Sequence, residues 1–266
     1  IAWLLFYNIV DYIKANAAFS WETFKAEVLI DTLLGKGMYH MWFLPMILGL
    51  YVLTPVIKQM ITSRKLCEYF LVLYFIFNLF YATIFKFSVP YTEIVDSLFS
   101  RLPMKMLEGY IGYYVLGYYL DTYFTSIRKR SFYAILMLGV TNFLWEVTVC
   151  NRESATSGEL STILNDPLTV NVFFAAIAIF LLLRQLFKNI NTEGFFYRIC
   201  RGLGRYSFGV YLIHPLFLTW LTEHQITTLL LPVPISIPLM ILLVVSVSYV
   251  FLWILSRLPI IGKYIV

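Results

Sequence analysis

This chain has few of the residues from which soluble enzymes build their sites. Only 13% of its 266 residues are charged, and it contains three His and three Cys. The cysteines (Cys67, Cys150 and Cys200) are far apart, with no CxxC pair, which argues against a zinc site or a disulfide framework. No P-loop, GxSxG or HExxH motif is present, so the usual signatures of nucleotide hydrolases, serine hydrolases and zinc proteases are missing. We therefore predict no metal site.

Long apolar segments make up most of the chain. Hydrophobic residues account for 60% of it and aromatic residues for 18%, and the mean hydropathy is +0.78. An α-helix needs about 20 residues to cross a bilayer and satisfies its backbone polar groups internally. We predict eight spans, at residues 1–13, 41–60, 66–86, 106–123, 131–150, 168–187, 204–222 and 235–256. The expected fold class is an all-α polytopic transmembrane helix bundle.

Basic residues are concentrated in every second turn between these segments. Loops 58–65, 124–130 and 184–205 and the tail from Arg257 hold 13 of the 20 Lys and Arg, with three acids in or beside them. The positive-inside rule places these loops and the C-terminus in the cytoplasm. The same rule accounts for the net charge of +5, so the expected partners of the basic face are membrane lipids and not nucleic acid.

Two polar stretches are predicted to lie outside the membrane. In the segment 14–39, residues 20–34 read as an interfacial helix, with Ser20 as its N-cap. Residues 151–166 read as a polar loop, either the wall of a vestibule or a plain connection. No internal repeat or low-complexity linker divides the chain, so residues 1–266 are expected to form a single membrane domain.

Two segments place a histidine among apolar residues. His40 lies at the outer mouth of a predicted span, and His214 lies about 15 Å along a helix that enters from the cytoplasm. Ionisable residues at that depth usually face the bundle interior or a wet cavity, and Pro215 removes a helical hydrogen bond beside it. Each histidine has a plainer alternative: His40 as part of an interfacial aromatic belt, and His214 as a structural hydrogen-bonding residue.

Other polar residues sit near the ends of the predicted spans. Glu108 and Glu146 fall near external ends, where each is either a base, a binder of a polar acceptor or a solvated helix-end acid. Five basic residues gather on the inner side: Arg184, Lys188, Arg198, Arg201 and Arg205. They are candidates for binding a phosphorylated cofactor, or they merely mark the topology.

Two strings resemble the acyltransferase-three family: His40-Met-Trp-Phe-Leu, followed by Tyr51 and Pro55, and Tyr206-Ser-Phe-Gly-Val-Tyr-Leu-Ile-His-Pro. Residues 112–120 are also similar to a helix of this family. Its members are bacterial integral-membrane O-acyltransferases that modify surface polysaccharides, peptidoglycan and antibiotics. The positions that carry over, as pocket or structural residues, are His40, Trp42, Tyr51, Tyr206, Tyr211 and His214.

The resemblance implies ten spans, whereas eight are predicted here. The first helix of the family carries a basic residue and, about eleven positions later, the His implicated in acyl transfer. No His of this chain has a Lys or Arg ten or eleven positions before it. The chain also starts without Met, inside an apolar run. We therefore expect a segment equivalent to spans three to ten, with the main catalytic His upstream of Ile1, and we expect this chain alone to be inactive.

The function implied by the resemblance is transfer of an acyl group, acetyl in the simplest case, from cytoplasmic acyl-CoA. The acceptor would be a hydroxyl of a surface glycan or a lipid-linked sugar, and the setting the bacterial inner membrane. His214 is then a candidate general base or acyl acceptor, Glu108 and Glu146 join the pocket residues, and the five inner basic residues are candidates for binding acyl-CoA. No resident cofactor is expected. The alternatives are a transporter or non-catalytic module for small polar molecules, or a purely structural domain.

Overall fold

A computed structural model describes residues 2–15, 19–34, 37–87, 92–102, 107–124, 128–159 and 161–258. In chain order the α-helices are α1 (Ala2–Ala15), α2 (Trp21–Phe24), α3 (Asp31–Leu33), α4 (Phe43–Met60), α5 (Arg64–Tyr74), α6 (Tyr81–Ile84), α7 (Thr92–Ser100), α8 (Ile111–Tyr123), α9 (Lys129–Ser157), α10 (Val170–Phe187), α11 (Phe195–Glu223) and α12 (Val233–Leu255). No strand occurs in the described residues, which confirms the prediction of an all-α fold. Parts of several predicted features lie outside them: residue 1 of the first span, residues 16–18 and 35–36 of segment 14–39, residue 106 of the fourth span, residues 125–127 of an inner loop, residue 160 of the loop 151–166, and the tail from residue 259, which includes Lys263.

Five helical stretches of the described chain are long and apolar enough to cross a membrane. They are Tyr39–Met60, Arg64–Ile84, Lys129–Ser157, Val170–Phe187 and Pro234–Leu255. Each corresponds to a predicted span, which confirms a polytopic membrane protein. The other three predicted spans are also helical, but α1 and α8 are only 14 and 13 residues long and α11 carries several arginines.

The connections differ in detail from the sequence pattern. The segment after Ser20 is helical as expected, and Ser20 occupies its N-cap position, although its side chain makes no capping hydrogen bond. The helix there includes a π-helical stretch, Lys25–Ile30, and a second π-helical stretch, Phe75–Phe80, joins α5 to α6. α9 continues to Ser157, so residues 151–157 of the predicted external loop are helical.

Residues 43–188 form one compact unit, in which α9 packs along α10. Its core includes Tyr74 and Val115, both fully buried. A Cβ at Gly112 would overlap the Tyr74 ring, so the glycine lets α8 approach α5 closely. The Tyr74 hydroxyl donates to the carbonyl of Gly109 (2.8 Å), which has a left-handed φ of 74°.

Residues 1–42 and 189–266 form the other compact unit, in which α11 packs along α12. Its core joins Tyr206 and Ile213 of α11 to Leu252 of α12. Gly209 allows this contact, because a Cβ there would lie 2.9 Å from a Leu252 methyl. Since lipid tails are as apolar as these side chains, close packing and interhelical hydrogen bonds hold such helices together. This unit carries both histidines of interest.

Candidate active site

The His-Pro pair of α11 determines how one imidazole is held. Pro215 has no N–H, so the carbonyl of Tyr211, four residues earlier, loses its helical donor. The Nδ1 of His214 lies 2.7 Å from that carbonyl and 3.3 Å from the carbonyl of Val210. Because a carbonyl oxygen only accepts, Nδ1 carries the ring proton. In neutral His214, Nε2 is therefore the basic nitrogen, and it has no hydrogen-bond partner in the described part of the chain.

His40 lies against His214 in a cluster of rings. It occupies the 3₁₀-helical turn Tyr39–Trp42, and its ring centroid is 5.4 Å from that of His214, 5.4 Å from that of Tyr211 and 5.3 Å from that of Tyr7. His40 is buried, with a fractional exposure of 5%, and neither ring nitrogen has a hydrogen-bond partner among the described residues. The His40 ring is therefore held by packing against the neighbouring rings and not by hydrogen bonds of its own. Leaving a buried polar group unpaired costs about 1–3 kcal/mol.

Two tyrosine hydroxyls fix this cluster to the backbone. The Tyr211 hydroxyl donates to the carbonyl of His40 and so fastens the 3₁₀-helical turn to α11. The Tyr7 hydroxyl donates to the carbonyl of Leu212 (2.5 Å) and fastens α1 to the same helix. The Leu212 carbonyl also lies beside the His40 ring, but outside hydrogen-bonding geometry. The two hydroxyls thus fasten the His40 turn and α1 to the helix that carries His214.

Two cavities open along the seam between α11 and α12. The His214 cavity, of about 380 Å³, is lined by Ser207, Val210, Tyr211, His214, Leu218, Met240, Ile241, Val244 and Val245. The apolar cavity, of about 520 Å³, is lined by Ile213, Leu216, Phe217, Trp220, Leu221, Leu243, Val244, Val247 and Phe251. Only the His214 cavity carries an ionisable imidazole, so it is the better candidate for chemistry.

The structure brings together three of the predicted pocket residues: His40, Tyr211 and His214. Tyr206 lies in the same unit but has a packing role, since its hydroxyl bonds to the Ser256 Oγ (3.0 Å) and its ring packs on Tyr249. Trp42 ends the 3₁₀-helical turn with its side chain exposed, and Tyr51 is an exposed residue of α4 in the other unit.

The two predicted acids lie in the unit formed by residues 43–188. Glu146 is partly buried and accepts a hydrogen bond from the Asn171 amide (2.8 Å), which also donates to the Leu164 carbonyl. Glu108 is exposed. The Glu146–Asn171 pair therefore orients one carboxylate inside the helix pair α9–α10, whereas Glu108 has the surroundings of a solvated acid.

The five predicted basic residues divide into two kinds. Arg184 donates to the carbonyls of Leu120 (2.6 Å) and Asp121 (2.9 Å) and pairs with the Asp121 carboxylate, so it caps the end of α8. Lys188 is exposed just after α10. The remaining three, which we call the arginine face, are exposed on α11 and make no ion pair within the described residues: Arg198, Arg201 and Arg205.

Sequence reasoning missed Tyr7 as a member of the site. It is fully buried in α1 and holds Leu212, a residue 205 positions away along the chain. Nothing in its local sequence separates it from the other aromatic residues of the segment, so only the tertiary contact reveals its role.

Comparison with known proteins identifies the family to which the chain belongs. The acyltransferase-three family model, described as an acyltransferase domain, matches residues 1–255, nearly the whole chain. No curated protein and no solved structure matches it. The five apolar helices agree with a protein that works within a membrane. The chain belongs to the acyltransferase-three family of membrane acyltransferases.

Proposed function

We propose that the protein transfers an acyl group, acetyl in the simplest case, from acyl-CoA to a hydroxyl of a glycan or a lipid-linked sugar. The observation that carries this proposal is the oriented imidazole of His214, whose Nδ1 is held by the Tyr211 carbonyl while Nε2 stays unpaired beside a cavity. An imidazole fixed through one nitrogen and basic at the other is the arrangement that activates hydroxyl groups in acyl transfer. Family membership supports the reaction class.

The proposed step uses His214 as a proton carrier. Nε2 takes the proton of the acceptor hydroxyl as the hydroxyl oxygen attacks the carbonyl carbon of the thioester. The new C–O bond forms, the C–S bond breaks, and the imidazolium returns the proton to the sulfur. The products are an ester of the acceptor and CoA with a free thiol, so no further reactant is needed.

The proposed donor site is the arginine face. Positions separated by three and four residues share one side of an α-helix, so Arg198, Arg201 and Arg205 point the same way. CoA carries several phosphate charges, and a guanidinium can bind phosphate through two parallel hydrogen bonds. We propose Lys188 for the same role. We leave Arg184 out, since its hydrogen bonds already close the end of α8.

The proposed setting is a bacterial inner membrane with the C-terminus in the cytoplasm. The concentration of Lys and Arg in alternate loops supports this orientation, and it puts the arginine face on the side where acyl-CoA is made. Within the unit formed by residues 43–188, we propose Glu146, whose carboxylate Asn171 orients, as a separate contact for a polar substrate group.

Replacement of His214 tests the base. His214→Asn can keep an N–H near the Tyr211 carbonyl but has nothing in place of Nε2, so we expect kcat to fall at least about 100-fold with little change in thermal stability. Because we expect this chain alone to be inactive, the assay is release of the CoA thiol from acetyl-CoA by the purified full-length protein, in proteoliposomes with a glycan acceptor. His224→Asn is the matched control, because His224 makes the same Nδ1 bond, to the Trp220 carbonyl (2.8 Å), but is exposed. Wild-type turnover by His214→Asn would exclude His214 as the base.

Replacement of two arginines tests the donor site. We expect Arg201→Gln with Arg205→Gln to raise the KM for acetyl-CoA about tenfold, because two charged hydrogen bonds to phosphate are lost. The KM for the acceptor should not change. Lys129→Gln with Arg130→Gln removes the same charge from another exposed site and is the control. Equal effects of the two double variants would reduce the arginine face to a topology signal.

A further inference from the structure

The His214 cavity is shaped for an extended chain. Ser207, Tyr211, His214 and Leu218 recur every three or four residues and form one stripe along α11. Eleven residues separate the ends of this stripe, which at about 1.5 Å per residue makes the cavity wall about 16 Å long. Its volume of about 380 Å³ falls in the range of small-molecule sites.

Few polar groups in this cavity are available to a ligand. The Ser207 hydroxyl already donates to the Gly204 carbonyl (2.8 Å), and the Tyr211 hydroxyl donates to the His40 carbonyl. The protons of both hydroxyls are therefore used, so neither can donate to a ligand. Of the N and O atoms on the lining side chains, Nε2 of His214 is the one without a hydrogen bond to the described residues, and it can accept a single O–H. A sugar with several hydroxyls would leave most of them unpaired here, at about 1–3 kcal/mol each. A hydrocarbon chain next to one hydroxyl has no such penalty.

We propose that the His214 cavity binds the hydrocarbon chain of the acceptor, an amphiphilic alcohol that arrives from the lipid phase. Its hydroxyl meets Nε2 of His214, and its chain extends along Leu218, Met240 and Ile241. The proposal rests on the acyl transfer of the proposed function, because it takes the hydroxyl at Nε2 to be the one that is acylated; it replaces the glycan by a lipid alcohol as the acceptor. It assigns the chain to the acceptor and not to the acyl donor, since the group that must touch the base is the acceptor hydroxyl.

Photolabelling tests the site without any turnover. The probes are a ten-carbon primary alcohol with a diazirine in its chain and the corresponding methyl ether, each added to the protein in lipid nanodiscs. We expect the alcohol to label Met240 and Ile241 several-fold more than the ether does, and His214→Asn to abolish that difference. Leu243 and Val247 of the apolar cavity should be labelled equally by both probes. Equal labelling at all four positions would show ordinary lipid contact and overturn the proposal.

Filling each cavity in turn shows whether the His214 cavity binds the hydrocarbon chain of the acceptor or the acyl chain of the donor. Val245→Trp occupies the His214 cavity, and Val247→Trp occupies the apolar cavity on the same helix and is the control. We expect Val245→Trp to raise the KM for the ten-carbon alcohol at least tenfold and to leave the KM for acetyl-CoA unchanged. If this variant instead impaired only octanoyl-CoA relative to acetyl-CoA, the chain would belong to the donor and the proposal would be wrong.

Failure of the site and failure of the proposed function give different results. Hydroxyl-dependent labelling without CoA release would retain the cavity as a binding site and reject acyl transfer. CoA release with a soluble glycan, but without hydroxyl-dependent labelling, would retain acyl transfer and reject the lipidic acceptor. If Val245→Trp does not fold, Met240→Phe fills the same cavity with a smaller change in volume and is judged by the same KM criterion.

Discussion

Replacing Pro215 by alanine should make the protein more stable and less active. Proline in a helix interior is about 3 kcal/mol less favourable than alanine. The Pro215 ring is fully buried, and alanine lacks two of its carbons, which forfeits about 1.6 kcal/mol of packing at 0.8 kcal/mol per methylene. The balance favours Pro215→Ala by about 1.5 kcal/mol, which corresponds to a rise in Tm of a few degrees.

The loss of activity follows from the hydrogen bond that the proline leaves open. With alanine at position 215, the new amide N–H donates to the Tyr211 carbonyl and competes with Nδ1 of His214 for it. The imidazole then keeps only the longer contact with the Val210 carbonyl (3.3 Å), and its orientation is less fixed. We expect kcat to fall about tenfold, a loss of about 1.4 kcal/mol of transition-state stabilisation.

The two effects are measured separately, Tm in detergent and CoA release in proteoliposomes. Pro55→Ala in α4 is the control, because it removes an in-helix proline that is exposed and lies far from His214 in sequence. It should raise Tm and leave kcat unchanged. An unchanged kcat for Pro215→Ala at raised Tm would refute the idea that the proline orients the imidazole.

Two further predictions concern orientation and pH. Single cysteines at Thr62 and Glu153, in a cysteine-free background, should react oppositely with an impermeant reagent on intact cells: position 153 labelled and position 62 protected. The reverse pattern would invert the topology. Burial alone would raise the pKa of Asp166, but the Leu168 N–H and the Lys86 ammonium outweigh it and hold the pKa of Asp166 below its ordinary value. This carboxylate therefore stabilises the fold at neutral pH, and the contribution is lost progressively as the pH falls below about 4 and then through the lowered pKa. Because the pair is about one third exposed, Asp166→Asn should cost less than about 1 kcal/mol at pH 7, and the difference in Tm from the wild type should narrow as the pH falls below about 4. A difference that did not narrow at all on acidification would contradict this.

The sequence predicted the helices well because membrane spans are specified locally. The apolar run before Pro55 and the basic turn after it can each be read from the residues nearby. The hydrogen bond of His214 could also be anticipated from the sequence, since a His before a Pro lies near the carbonyl that the proline leaves without a donor. The predicted depth of His214 in the membrane followed from its distance along the same helix to the arginines.

Other parts of the site depend on contacts that no local pattern encodes. Tyr7 and Leu212 are in contact although they lie 205 positions apart in the sequence, and the His40 ring is buried against Tyr7. Arg184 illustrates the opposite problem, because its position fits the positive-inside rule while its hydrogen bonds cap α8. Charge patterns report the side of the membrane and leave open what a given guanidinium contacts.

The bond between Tyr211 and the turn that precedes α4 uses a main-chain carbonyl, not a side chain. Any residue at position 40 presents that same carbonyl, so the anchor survives replacement of the imidazole. His40→Ala would therefore remove a ring and leave the turn fastened, whereas Tyr211→Phe would release the turn and keep the ring. The shape of the site and the chemistry of its second imidazole can therefore be altered independently, each by a single substitution.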